Sequence, residues 1–342
     1  MASAKVGRRK YIRTICGVVI GFAVGSALGY FMPRNYPTNV GKKILLVFSY
    51  HPEYPWQMSE TKGVGEVLWN KGFLIENFYM DTKRKTSLDW MKKAAEDAIE
   101  KIAEFKPDLV IVFDDNACEF VAKRYIGRTI PFVFCGMNGN PEDYGFPTEN
   151  ITGVIERHYV KETTTLLKRL VPDINKIAMI MDDSSTSRGL INNLKVNSLT
   201  NEISEIYTTN DFDDWKARVE ELQTKVDAIG LFQYHTIKER GREESLPPED
   251  VLRWTLENNR LPEFGLFDFT IEEGALCGVT QSGEEQGRAA AEIAVKILEG
   301  IKPKDIPIKN PKKGIPIINI KRAESLNIKI PEDVFEEVEI TY

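Results

Sequence analysis

Lys43-Ile44-Leu45-Leu46-Val47-Phe48-Ser49-Tyr50-His51-Pro52-Glu53-Tyr54-Pro55-Trp56 is the stretch on which the reading of this chain turns. Ile44 to Phe48 is an unbroken apolar run of the length of a strand buried on both faces, the pattern of a parallel sheet. Pro52 and Pro55 then forbid both a continuing strand and an early helix. The strand therefore runs into a stiff loop bearing aromatic rings and hydrogen-bonding groups. In open α/β sheets this carboxyl edge is where ligands bind. The plainer alternative is a proline-rich connector whose rings cap the core.

Working outward, the same unit recurs. Met58 to Asn70 has helical spacing, Leu74 to Tyr79 reads as a second strand, and Ser87 caps a helix whose Trp90, Met91, Ala94, Ala95, Ala98, Ile99 and Ile102 form one stripe. Pro107 ends that helix. Strands at Leu109 to Phe113 and Pro131 to Phe134 come next, with a helix over Cys118 to Tyr125 between them. The second half repeats the scheme. Its helices are Glu162 to Leu170, a segment around Leu190 to Leu199, and one opened by Asp214-Trp215. Its strands are Ile177 to Met181, Ile203 to Tyr207 and Ala228 to Phe232. Asp89-Trp90 and Asp214-Trp215 stand at matching places, so one βαβ unit is used twice. The expected fold is α/β: two doubly wound parallel-sheet lobes facing each other across a cleft.

Bulk properties narrow the function. The 342 residues, 42% hydrophobic and 28% charged, give room for two domains with real cores. A formal net charge of −6, with no basic cluster beyond the amino terminus, excludes nucleic acid as the main partner. Cys16, Cys118, Cys135 and Cys277 show neither CxxC nor zinc spacing, so no metal is expected and the cysteines read as buried free thiols. There is no Walker loop, GxSxG elbow or HExxH, and Gly63-x-Gly65 lacks a third glycine. No cofactor and no catalytic residue is assigned. His51 and His235, with Asp114 or Asp182, are the one combination with metal or acid–base potential, and their spacing does not support it.

At the amino terminus Arg8, Arg9, Lys10 and Arg13 precede an uncharged stretch from Thr14 to Met32, just long enough to cross a bilayer. The basic flank places that end in the cytoplasm and the rest outside. Gly7 to Arg13 is similar to a twin-arginine export signal. Gly17, Gly21, Gly25 and Gly29 line one helix face, and the cleavage signal near Ser26-Ala27 is weak. The reading adopted is an uncleaved membrane anchor, with a linker after it to Gly41.

Three segments carry a resemblance. They are Asn150 to Val154 with Glu162 to Pro172 and Ile177 to Met181, then Gly283 to Arg288 with Ala289 to Gly300 and Pro303 to Pro307, and last Ile318 to Pro331. Together they resemble the type I periplasmic substrate-binding proteins of ABC transporters, in the branch that includes tryptophan- and tyrosine-binding receptors. The likeness covers Lys43 to about Asp333. It implies an extracytoplasmic receptor closing on a small solute and serving an ABC transporter permease. The alternative function is a membrane-anchored sensing module for a separate signalling partner. The expected division is a leader over 1–41, one lobe of 42–153 plus 283–300, and a second of 154–278 plus 301–342. Two departures, Asp114-Asp115-Asn116-Ala117 and Asp182-Asp183-Ser184, fall where solute contacts belong, so the family's solutes do not carry over.

The candidate ligand-binding residues are the strand-end groups. Ser49, Tyr50, His51 and Trp56 follow the first strand, Asp81 the second, Asp114, Asp115 and Asn116 the third, and Met137 and Asn138 the fourth. In the second half they are Asp182, Ser184, Thr186, Ser187, Tyr234, His235 and Asp268. Asp183 reads as a helix cap, Lys83-Arg84-Lys85 as a solvated turn, Ser245 to Asp250 as a surface loop, and His158 as part of the inter-lobe connector. Ring faces beside carboxylates suit an amine or other cation. Hydroxyls and amides suit a carboxylate, so the expected solute is an amino-acid-like zwitterion, and an anionic one is disfavoured.

Overall fold

The computed structural model describes residues 41–196, 203–311 and 314–342. The expected membrane span and linker, Cys16, and the end of the helix expected around Leu190 to Leu199 lie outside these residues. Among the described residues no helix is long and apolar enough to cross a membrane.

Five strands form the first sheet: β1 (Lys43–Phe48), β2 (Leu74–Tyr79), β3 (Leu109–Phe113), β4 (Phe132–Met137) and β5 (Ile151–Ile155). They are all parallel, in the order β2-β1-β3-β4-β5. Because side chains alternate along a strand, Ile44, Leu46 and Phe48 face one layer of helices and Leu45 and Val47 the other. All five are buried, each contributing about 1.5–3 kcal/mol of apolar burial. The helices α1 (Pro55–Leu68), α2 (Leu88–Phe105) and α3 (Asp114–Phe120) connect these strands. Pro55 opens α1, where its missing N–H costs nothing. Ser87 caps α2, its hydroxyl accepting from Trp90 N at 3.2 Å.

The second sheet is built from β6 (Ile177–Met181), β7 (Glu205–Thr208), β8 (Ala228–Leu231), β9 (Glu263–Gly265), β10 (Cys277–Thr280), β11 (Ile315–Asn319) and β12 (Glu339–Thr341). Its order is β12-β11-β10-β9-β8-β6-β7, and only the β10–β11 pair is antiparallel. Helices α4 (Val160–Leu170), α5 (Ser185–Val196), α6 (Phe212–Leu222), α7 (Pro248–Asn258) and α8 (Asp268–Glu272) punctuate it, and α9 (Gly283–Leu298) comes after β10. Trp215 of α6 is buried and donates to Thr255 Oγ1 at 2.9 Å, while Trp90 of α2 is half-buried and donates to Met80 O at 2.8 Å. The cap of α6 is Asp211, which accepts from Asp213 N and Asp214 N. Asp183, read as a helix cap, is exposed and its carboxylate pairs with Arg188 at 2.6 Å, while Ser184 Oγ accepts from Ser187 N. The surface loop expected up to Asp250 ends earlier, because Pro248 opens α7.

The chain passes between the sheets three times: after β5 through Glu156–Tyr159, after β10 through Gln281-Ser282, and again after α9. Helix α9 returns to the first sheet and lies against α1 so closely that glycine is required on both. A Cβ on Gly63 would come within 1.9 Å of Glu284 O, and one on Gly287 within 2.0 Å of Glu60 O. The segment after α9 stays longer than expected on the first sheet. Ile306 is buried in that sheet's core, its carbonyl accepts from Thr152 Oγ1 at 2.8 Å, and Lys309 N donates to Gly153 O at 3.0 Å. Residues 303–309, assigned from sequence to the second lobe, thus pack along β5, whose outer edge pairs with no other strand among the described residues.

Candidate functional site

The strands that carry the candidate groups end towards the seam between the sheets, and the proline-flanked loop fills it. Tyr50, Tyr54 and Trp56 are buried not in their own sheet's core but among residues of the second lobe. Tyr54 meets His235 edge-on at 4.9 Å, and Trp56 meets Phe267 at 5.4 Å. Tyr50 Oη and Thr186 Oγ1 lie 3.0 Å apart across the seam. The rings thus cap a core, as the connector reading has it, and do so across the seam between the lobes.

A cavity of about 370 Å³ opens beside these contacts. Tyr50, Lys83 and Asn116 line it from the first lobe, and Ser184, Arg188 and Asn210 from the second. A second cavity, of about 410 Å³, lies on the other side of Lys83, between His51 and His235. Lys83 borders both. Read from sequence as part of a solvated turn, it is in fact only 2% exposed. Its ammonium donates to Gln233 Oε1 at 2.9 Å and lies 4.9 Å from the Tyr50 ring centre. Burial lowers its pKa, against the pull of Asp182 and Asp114. The reason is non-local: the loop before α7 covers it. Ser245 Oγ donates to Lys83 O at 2.9 Å, Ser245 N donates to Arg84 O at 3.4 Å, and Lys85 and Glu244 form an antiparallel bridge. Main-chain groups of the two lobes thus form a latch across the cleft.

The structure sorts the expected residues into three groups. Tyr50, Asp115, Asn116 and Ser184 line the first cavity, and His51 and His235 the second. Trp56, Asp114, Asn138 and Thr186 are buried along the seam. The remainder are engaged within one lobe. Ser49 donates to Phe113 O at 2.6 Å and accepts from Ala117 N at 2.8 Å, tying β1 to α3. Asp182 accepts from Ser187 Oγ at 2.8 Å and Thr236 N at 3.0 Å. Asp81 pairs with Arg84, Met137 sits in the core beneath α2 and α3, and Tyr234 bonds Thr270 and Glu273. Asp268 accepts from Phe269 N in its own helix. Asp115, though in the cavity wall, already accepts from Gly139 N and Tyr144 Oη at 2.8 Å each.

Sequence reasoning missed a set of buried acids. Glu60 of α1 is fully buried, and Glu156, just after β5, is 1% exposed. Asp114, whose backbone takes a left-handed φ of 64°, adds a third, and Asn138 links Glu156 to Gly136, beside which Glu60 and Asp114 converge. A Cβ there would sit 2.6 Å from Glu60 Oε1, 3.4 Å from Asp114 Oδ1 and 3.5 Å from Trp56 Nε1. Burial pushes the Glu60 carboxyl up to about 8. Burial first, and then the neighbouring acids, hold Asp114 and Glu156 well above the carboxylate range. Among the described residues Asp114 Oδ2, Glu156 Oε1 and Trp56 Nε1 have no hydrogen-bond partner, although the His158 ring lies 3.5 Å from Glu156 Oε1. His158 lies between β5 and α4, in the connector as expected. Its Nε2 meets Asn138 Oδ1 at 2.8 Å, and its ring lies edge-on against Phe232 and Phe267. Burial lowers its pKa to about 3, so it is neutral. The one available sequence signal was helical: Glu60 stands four residues before Val64, on the stripe that α1 buries.

Among the described residues no group of three or more His, Cys, Asp or Glu side chains is spaced to hold a metal ion. Cys118, Cys135 and Cys277 are buried free thiols. The family described as ABC transporter substrate binding protein matches residues 51–340. Among solved structures, the chain is similar to an ABC domain in complex with L-Trp from Streptococcus pneumonia, with 18% identity and a TM-score of 0.69 over 88% of this chain and 100% of that one. A conserved domain protein from Vibrio cholerae gives 19% identity and a TM-score of 0.70 over 88% and 99%. A 5-methylthioribose transporter solute binding protein from Thermotoga lettingae, in complex with 5-methylthioribose, gives 14% and 0.55 over 89% and 92%. At these identities the likeness is one of fold. No curated protein matches the chain.

Proposed function

The chain belongs to the ABC transporter substrate-binding protein family, and from that premise we propose that it is an extracytoplasmic receptor closing on a small amino-acid-like solute. The observation that carries this reading is the cavity bounded by strand-end groups of both lobes, since a solute held there touches both and favours the closed arrangement. The wall chemistry supports a zwitterion: Lys83 and Arg188 beside hydroxyls and amides suit a carboxylate, and rings beside buried acids suit an ammonium. The neighbours' bound molecules, an amino acid in one and a thiosugar in another, leave the choice to this chain's own walls. Delivery to a membrane permease, with the protein held at the outer face by the Thr14 to Met32 segment, completes the proposal.

Native mass spectrometry of the purified protein, and then calorimetry with the molecule it carries, tests the reading. An amino-acid-like solute binding one per chain, with a smaller scattering radius on saturation, is the expected result. A carried nucleotide or metal, or a scattering profile indifferent to the bound solute, would refute it.

A further inference from the structure

Three carboxyl groups gather along the seam: Glu60 and Asp114 beside Gly136, and Glu156 joined to the same point through Asn138 Nδ2, which donates to Gly136 O at 3.3 Å and to Glu156 at 2.9 Å. Glu60 comes from α1, Asp114 from the first position of α3, and Glu156 from the segment leaving β5. Structural acids in a core are ordinarily saturated, as Glu263 is by Arg322 and Asn259 and as Asp182 is by Ser187 and Thr236. Among the described residues Glu60 receives Gln57 at 3.3 Å and the Cys135 thiol at 3.4 Å, while Glu156 receives Asn138 at 2.9 Å and has the neutral His158 ring 3.5 Å from its other oxygen. Asp114 Oδ2 and Glu156 Oε1 accept no hydrogen bond among the described residues, and the Trp56 indole N–H, turned towards Glu60, completes none there. The acids are not spaced to close on a metal ion. The surrounding surface is aromatic: Trp56 from one lobe, Phe267 and Phe232 from the other, with Phe232 and Phe267 stacked at 5.4 Å.

We propose that Glu60, Asp114 and Glu156 form the seat for the cationic group of the solute, and that loading it exchanges a carboxyl proton for that cation. This rests on the receptor reading above and names what recognises the solute's charged end. Carboxyls beneath aromatic faces suit a compact organic ammonium, which rings and carboxylates both attract. The exchange is a consequence of crowding. Three neighbouring acids in a dry site cannot all ionise, so the empty seat holds protons, and an arriving cation favours the ionised form. The other charges facing the seat are Asp115 on α3, Lys83 in the loop after β2, and Arg157 beside Glu156. Lys83 and Arg157 already favour ionisation of Asp114 and Glu156 respectively, and Asp115 opposes both. His158 is neutral and adds no charge. Below about pH 8, where Glu60 begins to give up its proton, each bound ammonium should release about one proton, and its affinity should rise about tenfold per pH unit.

The test uses the full chain and a fixed set of probes: the twenty L-amino acids, tryptamine and tyramine, with D-ribose and indole-3-acetate as neutral and anionic members. Calorimetry in two buffers of different ionisation enthalpy reads proton release at pH 7, and a pH 6 to 7.5 series reads the slope. The expected result is an amine-bearing probe that binds with about one proton released, weakened about tenfold or more by Asp114→Asn, Glu60→Gln or Glu156→Gln. An amino acid bound without proton release, or equally well by all three variants, overturns the seat and leaves the receptor reading standing. Binding of ribose or indole-3-acetate alone, or of no probe at millimolar concentration, overturns both. The measurements on the unaltered chain keep the test decisive if a variant fails to fold.

Discussion

Replacing Asp182 by Ala separates a framework role from a solute-contacting one. The carboxylate is fully buried at the end of β6 and accepts from the Ser187 hydroxyl at 2.8 Å and the Thr236 N–H at 3.0 Å. Hydrogen bonds to a charged group contribute about 1.5–3 kcal/mol each, so losing both costs up to about 6 kcal/mol. Ser187 has a fallback in Ser184 Oγ, 3.3 Å away. Thr236 N has none, which leaves a net loss of about 2–4 kcal/mol. At roughly 2–4 °C per kcal/mol for a domain of this size, the melting temperature should fall by about 4–16 °C. Solute affinity per folded molecule should stay within about twofold of the parent. Thermal unfolding monitored by circular dichroism, with calorimetry below the transition, reads both quantities. A variant that melts within about 2 °C of the parent yet loses tenfold or more in affinity would refute the framework assignment and make Asp182 a solute ligand.

Three further outcomes are expected. The empty receptor should lose stability as pH rises from about 4.5 to 8, because unfolded carboxyls ionise near pH 4 while Glu60 keeps its proton to about 8. The folded state holds the extra proton across that window, the slope levels off above it, and Glu60→Gln should flatten its share in denaturant titrations. Ser245→Pro removes the N–H that reaches Arg84 O and the hydroxyl on Lys83 O, so small-angle scattering should show a wider mean lobe separation; an unchanged profile would discount the latch. Gly287→Ala forces a methyl group to within 2.0 Å of Glu60 O and should cost about 1–3 kcal/mol or more, with chemical denaturation as the measure.

Legibility in the chain divides along local and non-local lines. The apolar run Ile44 to Phe48, the Ser87 cap, and the alternation of strand and stripe are local, and each appears where expected. Pro55, read as forbidding an early helix, instead opens one, because the first helical position needs no N–H. Short elements such as β9 and α8 escaped because three to five residues carry too little periodicity. Lys83 escaped because Lys83-Arg84-Lys85 has the composition of a solvated turn, and its cover arrives from Ser245, 162 residues away. Glu60 and Glu156 escaped because helix spacing and strand ends mark position but not the partners that meet there. Ser49 and Asp182 were correctly placed at strand ends, yet their hydrogen bonds turn inward to the scaffold.

The latch from Lys83–Lys85 to Glu244-Ser245 engages carbonyl and amide groups on the Lys83–Lys85 side, with the Ser245 hydroxyl as its one side-chain member. A clasp written mostly in the polypeptide's common atoms is indifferent to which residues furnish the walls. Retailoring the walls for another solute therefore leaves the grip in place, and choosing and holding become separable tasks. The same separation offers a practical reporter. Dyes attached at Lys85 and Glu244 would register closure through this seam alone, so one labelled pair would serve every wall variant made from this scaffold.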